Sequence, residues 1–219
     1  MNDKQSSTEF RFYTKSDQTI LLGKKANNIL ELLEGIKTVP GSSIYFHTHK
    51  FLQQHHYLSP EPPNDFGYWI TNVLNEDVLG EKVCSIDIIQ FQRISDLRQK
   101  FIEILESHLQ TCDRVIPTPP GEEFHFMASQ TFVYQTTYNA HNLQEFKEMV
   151  EKVSIHSLYF HIFDAPLRLE KPENDFSCWF RTMNKTRIAD ELLRLDPYTF
   201  TLEGLRKRII QLIEMYANN

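Results

Sequence analysis

The chain has 219 residues, 41% of them hydrophobic and 24% charged, with a net charge of −6 and a pI near 5.8. That length suits two domains of ordinary size, each able to bury a core without a metal or disulfide staple. The acidic balance argues against a nucleic-acid partner, and no run of about 18 apolar residues is present to cross a membrane, so a cytoplasmic protein with neither kind of partner is expected.

Residues 1–8 are polar and read as a frayed tail. Phe10–Tyr13 and Thr19–Leu22 then read as two short strands of a small hairpin. Ile29, Leu32, Leu33 and Ile36 follow helical spacing, with Asn28 and Glu31 placed as a capping pair. The run Ser43-Ile44-Tyr45-Phe46-His47 is the next helical element. Phe66, Trp69, Ile70, Val73 and Leu74 form one apolar stripe, capped by Asn64. Asn75 opens a shorter helix through Leu79 and Val83, and Leu97, Phe101, Ile104, Leu105 and His108 close the series with a long one. Pro117-Thr118-Pro119-Pro120-Gly121 stops helices and forms a joint.

After that joint the pattern starts again. Glu9–His47 aligns with Glu123–His161 at an offset of 114 without a gap, and 12 of the 39 pairs are identical. Asn64, Asp65, Phe66 and Trp69 return as Asn174, Asp175, Phe176 and Trp179. A repeat of this kind predicts a duplicated module. The fold expected is α+β and predominantly α, with two tandem homologous modules, each a short β-hairpin followed by about four helices, related by internal pseudo-symmetry. The boundaries are a disordered tail at 1–8, copy one at 9–110, a Pro-rich linker at 111–122 and copy two at 123–219.

Cys84, Cys112 and Cys178 share no metal-type spacing and read as reduced thiols, with Cys84 and Cys178 as buried filler. Seven glycines and the absence of Gly-x-x-x-x-Gly-Lys-Ser/Thr, Gly-x-Gly-x-x-Gly and Gly-x-Ser-x-Gly patterns argue against a phosphate-cradling loop or a nucleophile elbow. No cofactor is expected.

The candidate ligand-binding residues are those that repeat: Tyr45, His47, Asp65 and Trp69 in copy one, and Tyr159, His161, Asp175 and Trp179 in copy two. A carboxylate near an indole is a pairing that holds a sugar ring. The same residues also serve as cap, dipole partner and core. A hydrolase using His47, His49, His55, His56 and Asp65 with a metal is a further reading, although this cluster has no H-E-x-x-H or H-x₃-H spacing. Asp87 with Arg98, and Asp196 with Arg206, are placed to form salt bridges between a loop and the last helix.

Residues 40–49 together with Leu58 to Phe66 carry a resemblance. The chain resembles an uncharacterised prokaryotic family of unknown function whose members are sometimes encoded beside or fused to glycosyltransferases and enzymes of trehalose-type sugar metabolism. The resemblance implies an accessory role near sugar metabolism, a protein partner with a glycosyltransferase among the candidates, and no catalytic residue. The reading ranked first is a non-catalytic interaction or regulatory protein, followed by a small-carbohydrate binder and then the metal-dependent hydrolase.

Overall fold

A computed structural model of the protein describes residues 9–50, 64–111, 115–196 and 199–216. These contain eleven α-helices and one two-stranded sheet, an α+β fold that is mostly helical. The chain divides into two compact units. Unit N contains residues 17–50, 64–111 and 115–131, and unit C contains residues 9–16, 132–196 and 199–216.

The strands differ from the sequence expectation. In place of a hairpin opening each copy, Phe10–Ala26 is one unbroken strand, β1, and Phe124–Ala140 is another, β2. The two pair with each other. Their direction is antiparallel: Thr136 Oγ1 donates to the Phe12 carbonyl at 2.7 Å in unit C, and Thr131 Oγ1 to Asp17 Oδ1 at 2.5 Å in unit N. Tight hairpin turns need residues that accept positive φ, Asn and Gly above all. The segments where turns were expected, Lys15 to Gln18 and Ser129 to Thr131, contain neither, so the chain runs straight through.

This continuity moves the unit boundaries. Residues 9–16 belong with the helices that follow β2, and 124–131 with the helices that follow β1, so the units do not follow the expected division at the Pro-rich joint. In unit C the ring of Phe10 lies 5.3 Å from Phe146, 5.4 Å from Phe176 and 5.5 Å from Trp179. In unit N, Phe124 lies 5.3 Å from Phe66 and 5.6 Å from Trp69. Each fully buried aromatic of this kind stabilises the fold by about 1.5–3 kcal/mol.

The described residues of unit N form five helices: α1 (Ile29–Thr38), α2 (Gly41–Tyr45), α3 (Asp65–Asn72), α4 (Asp77–Cys84) and α5 (Ile94–Thr111). Phe46–Lys50 extends α2 as a π-helical turn. Those of unit C form six: α6 (Leu143–Lys152), α7 (Ile155–Ile162), α8 (Ala165–Leu169), α9 (Asp175–Thr182), α10 (Thr186–Leu193) and α11 (Leu202–Tyr216). The caps expected at Asn28 and Asn64 form, and Asn142 and Asn174 cap in the same way. Asn28, Asn142, Asn64 and Asn174 each accept the N–H of the residue three positions on, at 2.8–2.9 Å. Asn75 and Asn184 do not cap; they sit at φ of 56° and 60°, one residue outside the turn that starts the next helix.

The two expected Asp–Arg salt bridges are replaced by another contact. Arg98 donates to the Lys37 carbonyl at 3.1 Å, and Arg206 to the Val153 carbonyl at 2.8 Å. Each guanidinium thus satisfies carbonyls at the C-terminal end of the unit's first helix, where a helix lacks partners and favours positive charge. The Asp87 carboxylate instead accepts from the Gln90 amide at 2.7 Å.

Gly35 on α1 faces Phe126 of β2 so closely that a Cβ there would overlap the ring. Gly35→Ala is therefore expected to lower stability by about 1–3 kcal/mol through overpacking, measured by urea unfolding. A neutral or stabilising result would show that this half of β2 does not pack on α1.

Candidate functional site

The repeated histidines and aspartates, read separately in the sequence, meet in space. In unit N, His47 lies on the π-helical turn and Asp65 opens α3, so Nδ1 and Oδ2 are 2.8 Å apart. In unit C, His161 on α7 and Asp175 at the start of α9 make the same contact at 2.7 Å. Both imidazoles are buried, at 1% and 2% exposure. Each opposite ring nitrogen accepts a backbone N–H from a strand: Met127 to His47 Nε2 at 3.0 Å, and Tyr13 to His161 Nε2 at 2.8 Å.

An amide N–H is only ever a donor, which decides the tautomer. Nε2 must present its lone pair, so Nδ1 carries the proton and donates to the carboxylate. The ring is neutral and both nitrogens are engaged. Acting as a general base would require Nε2 to release the strand N–H, leaving a buried donor unpaired at a cost of about 1–3 kcal/mol. Burial pushes the His161 pKa below the usual histidine value, and the Asp175 carboxylate pulls the other way without prevailing.

The other candidates divide between core and rim. Trp69 and Trp179 are each 5% exposed. Trp69 donates its indole N–H to the Glu122 carbonyl at 2.8 Å, and Trp179 stacks on Phe146 at 5.0 Å and 21°. Neither indole therefore offers a free face to a sugar ring. Tyr159 is wholly buried beside Phe163, and Tyr45 stacks on His49 at 5.3 Å. Among the described residues no three His, Cys, Asp or Glu side chains come together to hold a metal ion. His55, His56 and Cys112 lie outside the described residues.

Two features of unit C gave no signal in the repeat. Lys15 and Asp164 form a buried ion pair at 2.5 Å; the residues aligned with them are Ser129 and Lys50. Arg168 shares Asp175 with His161, its Nη2 2.5 Å from the same Oδ2, and lies 4.6 Å from the centre of the Phe160 ring. Arg168 borders a cleft of about 580 Å³ that includes Asp175, Tyr13 and Phe160. Cys178 also lines it, and burial pushes its thiol pKa up, which favours the protonated form. Arg168 escapes a search for repeated residues because its aligned position is Leu58.

The tie has a pH signature. The folded His161 refuses a proton that the unfolded chain accepts below about pH 6.5, so stability should fall as pH drops through that value and level off below the folded pKa. His161→Gln should lose about 1–3 kcal/mol at neutral pH and show a shallower pH dependence between neutrality and mild acid, read from urea midpoints. Equal slopes in the two proteins would mean that His161 does not titrate as the geometry requires.

A solved structure of OrfY from Thermoproteus tenax is similar over 99% of this chain and 99% of its own, with 26% sequence identity and a TM-score of 0.83. No curated protein matches the chain. No helix among the described residues is long and apolar enough to cross a membrane. The family of unknown function DUF5752 matches residues 7–214, nearly the whole length, and the chain belongs to that family.

Proposed function

We propose that this chain is a non-catalytic interaction or regulatory protein, built from a duplicated module and serving a protein partner. The observation that carries the reading is the state of the two imidazoles. His47 and His161 are the repeated groups best suited to acid–base work, yet each has one nitrogen on a carboxylate and the other on a strand N–H. What repeats between the copies is spent on holding strands to helices. Two frames of like construction suit a protein that presents surfaces, since paired faces raise avidity without new contacts. The family resemblance directs the search for a partner to sugar metabolism, with a glycosyltransferase first.

The carbohydrate and hydrolase readings receive less support. A sugar platform needs an open aromatic face, and both indoles are packed in the core. A hydrolytic site needs an imidazole with a free nitrogen, and among the repeated pair neither has one.

The full-length chain, used as bait in a native extract at low ionic strength, should retain a protein that mass spectrometry identifies. That protein, purified separately, should form a complex of fixed stoichiometry in size-exclusion chromatography with light scattering. Failure to retain any protein at gentle salt, or failure of the purified pair to assemble, would overturn the reading.

A further inference from the structure

The cleft of unit C has a composition that the repeated residues do not account for. Its walls are apolar, formed by Phe10, Tyr13, Val133, Phe160, Leu169 and Trp179. Its polar groups are mostly committed to the protein itself. His161 has both nitrogens occupied, the Thr182 hydroxyl donates to the Trp179 carbonyl at 2.6 Å, and Asp175 Oδ2 is shared by His161 and Arg168.

What remains for a ligand is mainly donor N–H groups on two guanidiniums. Arg11 uses Nε on Glu9 at 2.8 Å, and Arg168 uses one Nη on Asp175. Among the described residues no acceptor takes the other N–H groups, and the two side chains are 56% and 40% exposed. Arginine presents a rigid fork that matches carboxylate and phosphate oxygens. The Phe160 ring under Arg168 holds that fork in place.

We propose that this cleft binds a small amphipathic anion, its oxyanion head between Arg11 and Arg168 and its apolar body against Phe160, Tyr13, Val133 and Leu169. A polyhydroxylated ligand fits poorly. Each buried hydroxyl would need its own partner, and the walls supply few. The volume of about 580 Å³ suits a ligand of ordinary small-molecule size.

The site belongs to unit C alone. The positions aligned with Arg11, Arg168 and Val133 are His125, Leu58 and Thr19, so the guanidinium pair does not recur and one ligand per chain is expected. The proposal is independent of the protein partnership above, and either can fail without the other.

Titration calorimetry on the full-length chain tests it, with hexanoate and hexyl phosphate as probes and 1-hexanol, acetate and inorganic phosphate as controls. The six-carbon anions should bind one per chain, at least about tenfold more tightly than hexanol or either bare anion, and more weakly as salt rises. A preference for hexanoate assigns a carboxylate head, and a preference for hexyl phosphate a phosphate ester. Arg11→Gln with Arg168→Gln should weaken binding at least about tenfold. Val133→Asp, on an exposed strand position, should do the same without disturbing the circular dichroism spectrum. No heat from either anion at millimolar concentration overturns the proposal, as does hexanol binding as well as hexanoate or unchanged affinity in both variants.

Discussion

A backbone N–H on a strand must find an acceptor when helices close over it, and in each unit that acceptor is the Nε2 of a buried histidine. The arrangement requires the imidazole to be neutral and its proton to lie on Nδ1, which in turn requires a carboxylate at that side. Asp65 and Asp175 supply it from the first turn of a helix whose N-terminal end favours negative charge. One imidazole therefore links a strand, the helix or turn that carries it, and a second helix start. The phenylalanines on those strands then reach the aromatic cores, and those cores contain the two tryptophans.

The unbroken strands give this linkage its reach. A chain with Asn-Gly or Gly-Gly at residues 16–17 or 130–131 could fold each strand back on itself and keep each copy self-contained. With Ser16-Asp17 and Gln130-Thr131 instead, each strand continues and contributes its two halves to different units. Phe10 and Phe12, which precede α1 in sequence, thus complete the core around α6 and α9. The reciprocal holds for Phe124 and Phe126 with α1 and α3.

Both units tie a buried histidine between a strand N–H and a helix-start carboxylate, and they differ in what lies around it. Unit C has the buried Lys15–Asp164 pair and two guanidiniums bordering an apolar cleft, where the residues aligned with them in the sequence are Ser129, Lys50, His125 and Leu58. The repeated histidines and aspartates tie strands to helices, and the residues proposed to meet a ligand are ones that do not repeat.

Read alone, the amino-acid order marked most of the helices and the starts at Asn28 and Asn64, because a 3.6-residue apolar period and an Asn three residues before a free N–H are local requirements met within one turn; it missed the short helix Ala165–Leu169 and put a cap at Asn75 where none forms. It also marked the Phe, Trp, His and Asp positions that matter, through their recurrence. It misplaced the strands as hairpins, since alternation defines a strand but not its partner. It linked Asp87 to Arg98 and Asp196 to Arg206 on proximity in the chain, whereas the guanidiniums reach helix-end carbonyls 61 and 53 residues away. The joining of His47 to Asp65 and His161 to Asp175, the tautomer imposed by a strand N–H, and the approach of Arg11 and Arg168 to one cleft were decided by tertiary structure alone. Each depends on groups far apart in the chain whose hydrogen-bonding needs become mutual only after the core has excluded water.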